Sequence, residues 1–121
     1  MTVYVDDMNA EYRGMRMFHM IADTDEELHD MADRIGVARR HFQKAGTAQR
    51  HYDICLSKRK LAVAAGAIEI TLRQTGAMTR RRRVTDELGS PSDAEQWQTD
   101  RVAARRAQSA VLAEEATAAV D

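Results

Sequence analysis

Residues 24–36 constrain the fold more than any other stretch, because both ends and one face of a helix are written into them. Thr24 stands where an N-cap side chain accepts a backbone N–H, and Glu27 completes the spacing of a capping box. Asp25, Glu26 and Glu27 place carboxylates in the first turn, where the helix dipole favours them. Leu28, Met31, Ala32 and Ile35 then recur at i, i+3, i+4 and i+7 and form one apolar stripe. Gly36 suits the left-handed position past the last turn. A helix with a single apolar stripe must bury it against another element.

The flanking segments supply that surface. Residues 2–5 (Thr-Val-Tyr-Val) form a short β-branched and aromatic run, and residues 16–22 form a second apolar run. As a strand, the second run puts Met17, His19, Ile21 and Asp23 on one face, and Phe18, Met20 and Ala22 on the other. Two largely apolar faces suit a strand covered on both sides. Further on, Ser57 offers an N-cap for a helix over residues 58–65 that Gly66 would end, and residues 67–72 read as a third strand. The alternation predicts an α/β fold: a small, mostly parallel three-stranded sheet with two packed helices. Residues 9–14 and 37–52 read as loops.

Composition changes after Arg73. Residues 74–91 hold Gly76, the run Arg80, Arg81, Arg82 and Arg83, Gly89 and the single proline, Pro91, and read as a basic linker. Ser92-Asp93-Ala94-Glu95 is a further capping-box pattern. The remaining residues are rich in Ala, Gln, Glu and Arg, with Trp97, Val102, Val111 and Leu112 as the large apolar side chains, which predicts a solvated C-terminal helix. The expected organisation is therefore an α/β domain over 1–73, a linker over 74–91 and a helix over 92–121.

With 18 basic and 19 acidic residues in 121, the net charge of −1 singles out no class of partner. The one cysteine, Cys55, cannot pair within the chain and has no Cys/His cluster around it, so a buried structural thiol in a reducing compartment is expected. There is no apolar run of membrane-spanning length and no basic-then-apolar start, so no membrane partner and a cytoplasmic location are expected.

Seven acidic and histidine positions mark a polar site: Asp6, Asp7, His19, Asp23, His41, His51 and Asp53. In open α/β sheets ligands bind beyond the carboxyl ends of parallel strands. Asp6 and Asp7 end the first strand and Asp23 ends the second, so parallel pairing would bring their carboxylates together. Carboxylates at close quarters share a proton or a cation, for which Mg²⁺ or Mn²⁺ is the natural choice. Aspartate is equally a turn residue. His19, inside an apolar strand, is either a hydrogen-bonded core histidine or a general base beside Asp23. His51 and Asp53 project to one side if residues 51–53 are extended, which suits a His–carboxylate pair. The expected metal set is Asp6, Asp23, His51 and Asp53, and the expected acid–base set is His19, Asp23, His51 and Asp53. Asp7 and His41 have the least support.

Ser57, Lys58 and Arg59 open the second helix with cations, against the macrodipole. An anion held by free N–H groups and these side chains would offset that arrangement, so a phosphate subsite is expected there; a solvated basic face is the alternative. Arg80 to Arg83 similarly admits nucleic-acid contact or a solvated linker.

Several segments in order and spacing resemble the domain-of-unknown-function 4031 family. They are Val3-Tyr4-Val5-Asp6-Asp7, Phe18-His19-Met20-Ile21-Ala22-Asp23-Thr24, Glu27-Leu28-His29 with Ile35-Gly36, His51-Tyr52-Asp53-Ile54, Ser57-Lys58-Arg59 and Ala65-Gly66-Ala67. The resemblance spans residues 2–73 and implies a small α/β domain of bacteria or their phages, without implying a reaction. A tryptophan and proline often follow the first aspartates in that family, whereas this chain has Met8-Asn9-Ala10-Glu11. Together these features point to a phosphate- or nucleotide-directed domain, as a metal-dependent hydrolase. The alternatives are a non-enzymatic interaction module or a nucleic-acid-binding protein, with self-association through the last helix.

Overall fold

The computed structural model describes residues 2–120. Six strands form one mixed sheet: β1 (Val3–Val5), β2 (Ala10–Tyr12), β3 (Met15–Ala22), β4 (Phe42–Gln43), β5 (His51–Cys55) and β6 (Ile68–Glu69). Four α-helices accompany it: α1 (Asp25–Ile35), α2 (Leu56–Ala64), α3 (Leu72–Thr85) and α4 (Pro91–Val120). The spatial order is β4-β5-β3-β1-β6, with β2 hydrogen-bonded to β3 beyond the reach of β1.

The α/β class stands, but the expected mostly parallel three-stranded sheet does not. β1–β3, β2–β3, β3–β5 and β4–β5 are antiparallel, and only β1–β6 is parallel. The reason lies in the connection from β1 to β3. Residues 6–14 are too few for the crossover that parallel neighbours require, commonly a dozen residues or more. They form a hairpin arm instead. Arg13 and Gly14, at φ 50° and 80°, make the two-residue turn whose positive φ angles match the twist of the paired strands.

Two cores lie on the two faces of the sheet. Alternation along β3 sends Phe18, Met20 and Ala22 toward Leu28, Met31, Ala32 and Ile35 of α1 and Ala62 of α2. On the opposite face Tyr4 and Ile21 pack with Ile70, with Ala77 and Met78 of α3, and with Leu88 and Ala94. The first α4 turns therefore brace α3, whereas every described side chain from residue 102 to 118 is exposed. No helix among the described residues is long and apolar enough to cross a membrane.

Local signals explain the helix boundaries. Thr24 accepts the Glu27 N–H at 3.2 Å, and its hydroxyl donates to Glu27 Oε1 at 3.1 Å, so Glu27 answers the cap through the hydroxyl. Gly36 closes α1 at φ 78°. α2 starts before Ser57: β5 runs straight into it, and Cys55 holds the N-cap position. Much of the stretch read as a basic linker is α3. Thr71 and Gln74 form a complete capping box, with Gln74 N–H donating to Thr71 Oγ1 at 3.1 Å and Thr71 N–H donating to Gln74 Oε1 at 2.9 Å. That early start cuts the last strand to Ile68–Glu69. Arg82 is buried here rather than solvated. Its guanidinium donates to the carbonyls of Ala22 and Ala48 at 2.6–3.0 Å, pinning α3 to β3 and to the loop before β5. At α4, Ser90 rather than Ser92 is the cap, accepting the Asp93 N–H at 3.3 Å.

Candidate metal centre

The site forms where β1, β3 and β5 present alternate residues to the α3 face of the sheet. Asp6 follows β1 directly, and the antiparallel register carries it to His19: the Asp6 N–H donates to the His19 carbonyl at 3.1 Å. The β3–β5 register sets His19 opposite Asp53, and His51 lies two residues along on the same side. Four polar side chains thereby share one patch.

Asp6 is fully buried, and both its carboxylate oxygens are engaged. Oδ1 accepts the backbone N–H groups of Met8 (3.1 Å) and His19 (3.0 Å). Oδ2 lies 2.8 Å from His19 Nδ1 and accepts the Thr75 hydroxyl at 2.9 Å. Burial pushes this carboxyl up, but the hydrogen bonds from the His19 ring and from the Met8 and His19 N–H groups outweigh it and hold the group below its ordinary value. An ionised carboxylate only accepts, so His19 Nδ1 is the donor, and the neutral ring carries its lone pair on Nε2.

The same logic fixes His51. Its Nδ1 lies 2.6 Å from the Gln49 carbonyl, which can only accept. Nε2 is then the free nitrogen, and it faces Asp53 Oδ1 at 3.3 Å. His19 Nε2 faces the same oxygen at 3.9 Å, and the two rings meet edge to face with centroids 5.1 Å apart. Asp53 Oδ2 accepts from Gln43 Nε2 at 2.9 Å, whereas Oδ1 is buried with no aligned hydrogen bond. The His51 ring holds Asp53 below the ordinary carboxylate range, against burial. For His51, burial pulls the ring down, but Asp53 and the Gln49 carbonyl overcome it and raise it. His19 Nε2, His51 Nε2 and Asp53 Oδ1 thus converge, and one donor atom of each residue lies within 4.8 Å of the other two. Beside them a cavity of about 320 Å³ opens between β3, β5 and α3, lined by Ile21, Lys44, Gln49, Leu72, Gly76 and Thr79 as well as the histidines and Thr75.

The structure separates other expected members. Asp23 is exposed at the far end of β3, where its N–H donates to the Thr2 carbonyl at 3.2 Å. The convergence of Asp6 and Asp23 needed parallel strands; antiparallel pairing puts them at opposite ends, roughly 13 Å along the strand. Asp23 thus joins neither the metal nor the acid–base set. Asp6 stands behind His19 as its orienting partner rather than among the donors. Asp7 accepts the Leu72 N–H at 2.7 Å and helps seat the start of α3, and His41 is exposed in a 3-10 turn (Arg39–His41).

Ser57, Lys58 and Arg59 form no common cradle. Ser57 is exposed, with its hydroxyl 3.3 Å from Cys55 Sγ. Lys58 reaches the Gly36 end of α1, where Nζ would lie 3.2 Å from a Cβ on that glycine. Arg59 turns the other way, donating to the Asp6 carbonyl (2.8 Å) and Glu69 (2.9 Å) and lying over the Phe18 ring. Of these cations Arg59 has a carboxylate partner in Glu69, and Lys58 lies at the C-terminal end of α1. Cys55 is half-buried rather than buried; the Ser57 hydroxyl, then the Lys58 and Ser57 N–H groups, bring its thiol below the ordinary value against burial.

Sequence reasoning missed Thr75, Gln49 and Gln43. Thr75 was hidden by reading its segment as a linker, although Thr71-Leu72-Arg73-Gln74 carries the capping-box spacing that would have placed it on a helix. For Gln43 and Gln49 no sequence signal exists.

A family model described as Protein of unknown function (DUF4031) matches residues 3–82. No curated protein and no solved structure matches the chain. The matched span covers all six strands and α1 and α2, and it passes residue 73, where the resemblance read from sequence stops, to include Thr75 and Arg82 of α3. With two thirds of its length matched, the chain belongs to the DUF4031 family.

Proposed function

We propose that this chain is a divalent-metal-dependent hydrolase whose metal is held by His19, His51 and Asp53. One observation carries the reading: both histidines spend Nδ1–H on fixed acceptors, so both Nε2 atoms turn toward Oδ1 of Asp53, which has no aligned hydrogen bond. Three acceptors facing one another require a proton or a cation between them. The Asp6–His19 pair matches the carboxylate–histidine support common behind metal ligands. Donors around a four-coordinate zinc lie about 3.4 Å apart, from bonds of roughly 2.1 Å. Here the Nε2 atoms of His51 and His19 lie 3.3 and 3.9 Å from Asp53 Oδ1, close to that spacing. Two imidazoles with one carboxylate suit Mn²⁺ or Zn²⁺ better than Mg²⁺. Three protein ligands would leave a position open for water, and the bound ion would supply Lewis acidity to make that water a nucleophile, to a pKa of about 7 in the case of Zn²⁺. The adjoining cavity supplies room for a small substrate, with Lys44 at its rim for a phosphate or another anion.

Calorimetric titration of the full chain with Mn²⁺ and Zn²⁺ tests this. One equivalent should bind, and Asp53→Asn and His51→Ala should each abolish tight binding. Hydrolysis of bis-p-nitrophenyl phosphate should follow metal occupancy. A chain that takes up neither ion would leave a proton between His51 and Asp53 and overturn the reading.

The last helix supports a second reading, an interaction role. Val102, Val111 and Leu112 are 40%, 52% and 57% exposed along it. Self-association through this stretch predicts that Val111→Glu with Leu112→Glu lowers the mass measured by light scattering. An unchanged monomeric mass in both proteins would exclude it.

A further inference from the structure

The arginine run, once placed on α3, divides by role. Arg82 points inward, but Arg80 and Arg83 reach the seam with α4, where Arg101 and Arg105 meet them. These four line a groove of about 310 Å³ together with Trp97 and Gln98. Among the described residues none of the four has a carboxylate within salt-bridge distance. Arg80 donates to Gln98 Oε1 at 2.7 Å, and Arg101 stacks over the half-buried Trp97 ring at 4.9 Å. Arg80 and Arg83 are spaced i, i+3, and Arg101 and Arg105 i, i+4, so each helix places like charges side by side. Such pairs weaken a helix. Two of them on facing helices concentrate positive potential in one concave strip.

We infer that this groove binds the phosphate backbone of single-stranded nucleic acid. Guanidinium groups recognise phosphate through paired N–H donors, which lysine does not reproduce. Arginine rows beside an aromatic ring are elements of sequence-tolerant strand binding: cations track the backbone, and a base can stack on a guanidinium plane such as that of Arg101, itself supported by the Trp97 ring. Such a strip suits one strand better than a duplex, whose paired bases are not free to stack on side chains. The inference stands apart from the metal centre, which lies on the sheet side of α3 and uses other residues.

The test is fluorescence anisotropy with the full chain and a labelled oligothymidylate of about 20 nucleotides. Binding should weaken with salt, with a log–log slope of roughly −2 to −3, as three or four phosphate contacts on a single strand require. Replacing Arg80, Arg83, Arg101 and Arg105 by Gln should weaken binding at least about tenfold, on the same salt-dependence grounds. Circular dichroism checks that the helices persist. Should the fourfold variant fail to fold, Arg101→Gln with Arg105→Gln on exposed α4 should still reduce the slope by about half. EDTA and Asp53→Asn should leave oligonucleotide binding unchanged, which separates this result from the fate of the metal reading. No binding at low salt, unaltered binding by the folded variants, or tighter binding of polyglutamate than of the oligonucleotide would each overturn it.

Discussion

His19 Nδ1 lies 2.8 Å from Oδ2 of Asp6, and no part of Asp6 is open to solvent. The pair fixes which nitrogen of His19 faces Asp53. Asp6→Asn should reverse the preference, because the amide can donate to Nδ1 and move the ring proton to Nε2. Metal affinity should then fall roughly 10- to 100-fold, the usual cost of losing such a partner. Thr75→Ala removes one donor from the same oxygen and should destabilise the fold by about 1–2 kcal/mol, read from urea unfolding. Equal metal affinity in Asp6→Asn and the parent would refute the orienting role.

The pH dependence of the metal-free protein follows from two shifts of opposite sign. His51 is raised, so its contribution is complete below the unfolded value, about 6.5, and is lost as pH rises through the folded value. Asp53 is lowered, so its contribution is present above about 3.9 and is lost as pH falls through its folded value. The stability difference between the parent and Asp53→Asn should therefore be largest between roughly pH 4 and 6.5. Metal uptake should run the other way, strengthening as His51 loses its proton above that window. Urea midpoints and metal titrations across pH 4–8 check both trends; a flat difference curve would contradict the coupling.

Arg82 should behave as a structural clamp. Burial, more than the neighbouring Arg50, brings its guanidinium down to about 10, yet it stays charged at neutral pH. Arg82→Met strands the carbonyls of Ala22 and Ala48 and should cost about 3 kcal/mol. Lysine, lacking the fork, should recover little of it. Thermal and urea unfolding measure this, and a loss below about 0.5 kcal/mol would count against the clamp.

Cys55 should alkylate faster than an ordinary thiol, since the Ser57 hydroxyl and the first N–H groups of α2 stabilise its thiolate. Iodoacetamide kinetics over pH should show a midpoint below that of free cysteine, moving upward in Ser57→Ala. An unmoved midpoint would remove Ser57 from the account.

How much of this could be read from sequence depended on how local each signal was. α1 was legible at both ends because Thr24, Glu27 and Gly36 act within one turn of themselves. The shared side of His51 and Asp53 followed from the two-residue period of a strand. Strand direction was misread because helix–strand alternation outweighed the short span between β1 and β3, and that single misreading moved Asp23 into a site it never meets. α3 was missed because Gly76 and the arginines hid its capping box. Gly76 costs a helix only about 1 kcal/mol, and its backbone opens onto the cavity. No sequence pattern announces that Arg59 and Thr75 converge on Asp6, since that depends on tertiary docking.

Asp6 has a wider consequence. The groups that hold it are separated from it by 13, 53 and 69 positions, in β3, α2 and α3. A nascent chain closes this knot only after α3 has left the ribosome and docked. Contacts of such long sequence separation slow folding and tie it to one late event. Occupancy of the metal centre would then report the fully folded population rather than any partly folded form, and amide exchange at Asp6 should track global unfolding.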